Sequence, residues 1–170
     1  SAFNQDIGGW NVPNVTDMQY MFGSATAFNQ DISRWDVSSV TNMEGMFAGN
    51  WWDVVPMVFN NGGVALTWGD KTAAVTNMKS MFVLSASFNQ DIGGWNVSNV
   101  TTMRNMFEES TSFNQDIGGW NVSSVTDMTN MFAYADSFNQ DVSDWDVSDV
   151  TNFDWMFYGA ESFNQPLAWL

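Results

Sequence analysis

The sequence predicts a repeat solenoid with a short parallel β-sheet on one face and short helical turns or loops opposite. Three observations predict it. A 20-residue sentence, Phe-Asn-Gln-Asp-(Ile/Val)-x-x-Trp-x-Val-x-x-Val-Thr-x-Met-x-x-Met-Phe, recurs with a period of 25 residues. A fixed period in this range marks stacked units, none of which can bury its apolar face alone. Apolar residues make up 45% of the chain, enough for a core despite a net charge of -15.

The opening Phe stands at Phe3, Phe28, Phe88, Phe113, Phe138 and Phe163. The closing Met-x-x-Met-Phe stands at Met18, Met43, Met78, Met103 and Met128, with Phe153 in the last copy, so the steps are 25, 35, 25, 25 and 25. Residues 1–170 therefore read as a single solenoid of about six coils, the third expanded by ten residues over about 48–74. Six of the ten fall between Phe47 and Phe59, two before Trp68 and two before Val75. The chain opens in mid-repeat at Ser1 and stops at Leu170 soon after a last Phe-Asn-Gln, so it reads as a piece of a longer array.

Within a coil, Ile32-x-x-Trp35-x-Val37 has the apolar spacing of a leucine-rich-repeat strand segment, Leu-x-x-Leu-x-Leu. Trp35 and Val37 should point inward and Arg34, Asp36 and Ser38 outward. Val40-Thr-Asn-Met43-x-x-Met46-Phe47 places apolar residues at i, i+3, i+6 and i+7, which suits one or two helical turns with Thr41 as N-cap. A small-residue loop follows (Ala25, Ser85, Ser110, Ala135, Ala160) before Phe-Asn-Gln returns. Stacking would then build a tryptophan ladder from Trp10, Trp35, Trp68, Trp95, Trp120 and Trp145, with methionine filling irregular gaps.

The motif Phe28-Asn-Gln-Asp-Ile-Ser-Arg-Trp-Asp-Val-Ser-Ser-Val-Thr-Asn-Met-Glu-Gly-Met-Phe47 resembles the 25-residue repeat of BspA-like leucine-rich-repeat surface proteins. The resemblance runs through nearly the whole chain. It implies a leucine-rich-repeat-like solenoid, exposure at the cell surface or outside the cell, and a role in adhesion or partner binding. It implies no enzyme activity and no catalytic residue. The departure is the long coil, where Phe-Asn-Gln-Asp has become Phe59-Asn60-Asn61-Gly62.

Composition excludes several chemistries. With no His and no Cys, thiolate metal sites, disulfides and the usual nucleophile–base pairs are impossible. Nearly every Asp sits at a repeated position, which argues for structure or surface rather than one catalytic carboxylate pair. Nineteen acidic residues face four basic ones, Arg34, Lys71, Lys79 and Arg104, so nucleic acid and anionic membranes are disfavoured and basic partners and cations favoured. No apolar run is long enough for a transmembrane helix.

Two candidate sites emerge. Asp6, Asp31, Asp91, Asp116 and Asp141 would stack as a row of like charges, repelling by roughly 1 kcal/mol per pair at about 5 Å in water. Backbone hydrogen bonds within each turn, raised pKa values or bound Ca²⁺ would relieve such a row, so these are the candidate metal ligands, with self-capping the simpler reading. The outward row Asn11, Asp36, Asn96, Asn121 and Asp146 mixes charged and neutral side chains, and Asn-x-(Ser/Thr) triplets at Asn14, Asn96, Asn99 and Asn121 follow from the repeat itself. The second site is the long coil. Trp51-Trp52-Asp53-Val54-Val55-Pro56-Met57-Val58 is unlike the rest of the chain, and loops that break a scaffold often bind. Trp51, Trp52, Asp53, Met57 and Lys71 are the candidate contacts, with Trp51 and Trp52 able to stack on sugar rings or anchor a protein hot spot. The function expected is thus a non-enzymatic binding or adhesion module for a protein or glycan. The alternatives are a structural spacer without a ligand and a Ca²⁺-dependent adhesion segment.

Overall fold

The structure, a computed structural model, describes residues 2–169. Successive copies of the repeat lie one above another, and side chains make most of the connections that define each step. Two phenylalanine columns run the length of the stack. Phe3, Phe28, Phe59, Phe88, Phe113, Phe138 and Phe163 stack ring over ring at 5.8–6.0 Å. Phe22, Phe47, Phe82, Phe107, Phe132 and Phe157 do the same at 5.4–5.7 Å. The two columns touch face to face at 3.9–4.1 Å in every coil. Each such pair adds roughly 0.5–1.5 kcal/mol beyond its area burial.

The tryptophans form the next column, and here a polar atom sets the register. The indole N–H of Trp35, Trp68, Trp95, Trp120 and Trp145 donates to the carbonyl of Ile7, Ile32, Leu66, Ile92 and Ile117 of the coil before it, at 2.9–3.2 Å. Trp169 joins the ladder by donating to Val142, although it stands one residue short of the repeat position. The asparagine of Phe-Asn-Gln has a matching task. Asn4, Asn29, Asn60, Asn89, Asn114 and Asn139 each accept, through Oδ1, the backbone N–H of the Asn one coil on, at 2.8–3.0 Å. Gln30, Gln115, Gln140 and Gln165 reach back with Nε2 to the same Asn side chain and to its carbonyl.

The expected leucine-rich-repeat-like sheet is absent, and so are the helical turns opposite. Among the described residues the helices are two short 3-10 turns in the long coil, Asn61–Gly63 and Gly69–Thr72, and no strand forms. The arc Ile-x-x-Trp-x-Val is a run of turns: Trp35 N–H closes on Ile32 and Val40 N–H on Val37. Side-chain caps compete there for the amides a sheet ladder would need. Parallel pairing occurs instead on the Met-x-x-Met-Phe arc, as isolated bridges linking Asp17, Asn42, Asn77, Thr102, Asp127 and Asn152.

That arc is not helical because its amides alternate. Met18, Tyr20, Phe22 and Ser24 donate across to the carbonyls of Asn42, Glu44, Met46 and Ala48 in the next coil. Met21, Gly23 and Ala25 close turns three residues back in their own coil. A helix would need every one of these amides to bond four residues back. The price of the alternation is a left-handed residue in the turns, at Tyr20, Gly45, Ser80, Asn105, Asn130 and Trp155, and again at Ser24, Leu84, Glu109, Tyr134 and Gly159. Thr41 is consequently no N-cap. Its N–H and Oγ1–H both donate to the Thr16 carbonyl, and Thr76, Thr101, Thr126 and Thr151 repeat this contact coil by coil.

The long coil keeps the columns. Phe59 stacks between Phe28 and Phe88, and Trp68 stacks on Trp95 at 5.4 Å. Asn61, buried and left-handed at φ 49°, replaces the Gln. Its Oδ1 accepts the Ile32 N–H at 2.8 Å and its Nδ2 donates to the Val64 carbonyl at 2.9 Å. Residues 51–54 are pushed out of the stack between Asn50 and Val55.

Candidate functional site

The extruded segment is a small hairpin that carries its own scaffold. Asn50 and Val55 exchange backbone hydrogen bonds in both directions, at 2.8 and 3.0 Å. The Asn50 side chain caps the turn from inside, its Oδ1 accepting the N–H groups of Trp52 and Asp53 and its Nδ2 donating to the Asp53 carboxylate at 3.1 Å. Val54 is held at φ 51°, a left-handed conformation that costs a β-branched residue of order 1–2 kcal/mol. The result lifts Trp52 off the surface, 95% exposed, with Trp51 at 45%.

Beneath the hairpin lies a cavity of about 470 Å³ lined by Tyr20, Gly23, Ser24, Ala48, Gly49, Trp51 and Trp52. Its far wall is Tyr20, whose ring lies over Gly45: a β-carbon there would sit 2.1 Å from the Tyr20 ring. The Tyr20 hydroxyl is 3.5 Å from Glu44, which pairs with Lys79 at 3.3 Å and accepts from Asn77 Nδ2 at 3.0 Å. Burial, then the Glu44 charge, pushes the Tyr20 hydroxyl above its ordinary pKa, so it stays a neutral donor. The site is an aromatic groove whose Tyr20 wall is held from behind by Glu44.

The candidate contacts separate. Trp51, Trp52 and Asp53 belong to the hairpin. Met57 does not face a partner; it is fully buried in the hydrophobic core, held by its N–H to the Leu84 carbonyl. Lys71 lies in the Gly69–Thr72 turn, its charge acting on Asp36, and it does not line the groove. Tyr20 is the contact the sequence reading missed. Its signal was present: the column holds Tyr20, Gly45, Ser80, Asn105, Asn130 and Trp155, so an aromatic stands one period before the one Gly.

The acidic rows are turn caps. In Asp6, Asp31, Asp91, Asp116 and Asp141, Oδ1 accepts the N–H two residues on, at 2.9–3.0 Å. The row Asp36, Asn96, Asn121 and Asp146 caps Ser38, Ser98, Ser123 and Ser148 in the same way. A third set caps the Met-x-x-Met turns from Asp17, Asn42, Asn77, Asp127 and Asn152. Where the capped residue is Ser, its hydroxyl and N–H hold Asp31, Asp36, Asp141 and Asp146 below the usual carboxylate range. Among the described residues no three acidic side chains converge on one point where an ion would sit. The glycosylation triplets fall on these turns too, with Asn99 donating to the Ala73 carbonyl at 2.8 Å.

No curated protein and no solved structure matches the chain. A family description does, over residues 1–51 and 59–169. The break at 52–58 takes in Trp52 and the returning half of the hairpin, while Trp51 and the other residues that line the groove lie within the matched residues. The chain belongs to the family described as "Mycoplasma protein of unknown function, DUF285".

Proposed function

We propose that this chain is a non-enzymatic binding module, of the BspA-like surface type, that holds a protein or glycan partner in the groove between Tyr20 and the Trp51–Trp52 hairpin. The observation that carries the reading is Trp52. A side chain of that size at 95% exposure buries nothing in the fold, and it stands on a hairpin pinned by Asn50. Exposed tryptophan flanked by a second aromatic wall offers flat apolar surface with polar edges, the surface on which sugar rings and protein hot-spot residues stack. Extracellular exposure suits such a role. A spacer without a ligand would gain nothing from the hairpin.

A glycan array, read with the wild-type chain and with Trp51→Ala, Trp52→Ala and Tyr20→Ala, tests the proposal together with pull-downs on purified surface proteins. Binding should fall at least tenfold in the Trp52→Ala chain with its melting temperature unchanged. Binding that survives all three substitutions would sink the groove as the site.

A further inference from the structure

We propose, on the reading that the groove is the binding site, that its partner is a protein segment. The segment inserts one large apolar side chain between Tyr20 and the Trp51–Trp52 hairpin and carries Lys or Arg beside it. The chemistry of the groove favours a protein over a glycan. Apart from its aromatic rings, the lining is Gly23, Ala48, Gly49 and Ser24. No carboxylate, amide or guanidinium lines it, and the Tyr20 hydroxyl is turned towards Glu44. A sugar carries hydroxyls around its whole edge, and each one that loses water without gaining a partner weakens binding. An apolar side chain makes no such demand, and a cavity of about 470 Å³ has room for the largest of them.

Outside the groove, the return limb of the hairpin keeps apolar side chains in solvent. Val54 is 63%, Val55 39% and Val58 45% exposed. In the other coils the residue before the opening Phe is Ala, Ser or Thr, so Val58 is a departure that the stack does not require. Val54 departs further. At φ 51° Asn or Gly would be less strained, and the exposed valine side chain buries little to offset the strain. A side chain that burdens the fold while standing in solvent fits a contact made outside the chain. None of the three valines lines the groove. A sugar ring seated there leaves them in water, whereas a protein segment running on over the hairpin covers them.

Charge sets what stands beside the apolar anchor. Asp53 is the one charged side chain between Asn50 and Val58, and its carboxylate accepts from Asn50 Nδ2. Behind Tyr20, Glu44 is already paired with Lys79. The hairpin is thus negative, as is the whole chain at a net charge of -15. That field draws in a cationic segment and repels an acidic one.

A peptide array read beside the glycan array tests this. Each short peptide presents one Trp, Phe or Leu in a Gly-Ser background, flanked by Lys and Arg, by neutral residues, or by Asp and Glu. A basic-flanked peptide with Gly at its centre gives the background of charge alone. Basic-flanked apolar peptides should bind at least tenfold better than acid-flanked ones, and the difference should shrink as salt rises from about 0.05 to about 0.5 M. Trp52→Ala should reduce this binding at least tenfold. Val54→Asn and Val58→Ser should weaken it several-fold, with the melting temperature of Val54→Asn unchanged or raised. Glycans bound through Trp52 with no peptide bound would overturn this inference and leave the groove standing. Peptide binding that Trp52→Ala leaves unchanged would overturn both. Equal binding of basic- and acid-flanked peptides, or full binding by the valine variants, would also contradict the inference.

Discussion

At the residue scale, most conspicuous side chains are joints between coils. Trp120 is 4% exposed, and its indole N–H joins the Trp95 N–H on the Ile92 carbonyl. Trp120→Phe removes that buried hydrogen bond and part of a packed ring, so a loss of about 1–3 kcal/mol in chemical denaturation is expected. Asn114→Ala removes the acceptor of both the Asn139 N–H and Gln140 Nε2. These groups can reach water, and the loss should be smaller, about 1 kcal/mol. Acid sensitivity follows from the serine-capped carboxylates. Asp31, Asp36, Asp141 and Asp146 have folded pKa values below their ordinary one. Their stabilisation is thus complete above the unfolded carboxylate range, near pH 4, and is lost as pH falls through the depressed folded values. NMR titration should find the Asp141 pKa rising towards its ordinary value in Ser143→Gly, which removes the hydroxyl donor; an unmoved titration would mean that the hydroxyl plays no part.

At the element scale, the turns explain both the acidic composition and the failure of the sheet prediction. Each coil is bent by Asx caps, and each bend takes amides from any ladder. Where a turn needs a left-handed residue the sequence does not always supply Gly or Asn. Glu109 sits at φ 55°, so Glu109→Asn should raise stability by about 0.5–1 kcal/mol in thermal melts. Coil-to-coil contact is close where Gly118 meets the Asp141 carbonyl, and an added β-carbon would lie 2.6 Å from it. Gly118→Ala should cost about 1–3 kcal/mol, because the obstacle is backbone and cannot rotate away. The apolar spacing that suggested helical turns at Met43–Phe47 is met equally well by overlapping turns. Inward-facing positions look alike in both, and only the destination of each amide distinguishes them. The Thr41 hydroxyl was misread for the same reason: its partner, the Thr16 carbonyl, is 25 residues away. The columns themselves were legible, since period alone places Trp10 under Trp35 and Phe88 under Phe113. At the site, Trp52 was legible as a break in the pattern, while the burial of Met57 and the approach of Tyr20 depend on how the extra residues leave the stack.

At the scale of the whole molecule, stability is close to a sum over identical steps, each made with the neighbouring coil. Removing residues 113–137, one full period, should therefore leave a folded chain with a smaller denaturant slope, whereas removing one residue fewer should break the columns and the cooperativity. Against that regular background the hairpin is the feature that stacking does not require, and the central claim is that Trp52 meets a partner there. Oxidative footprinting of the intact chain tests it directly, with and without the ligand selected on the array. Trp52 should be modified fast in the free chain and strongly protected in the complex, with the buried Trp35 and Trp68 unchanged. Equal modification of Trp52 in the two states would contradict it.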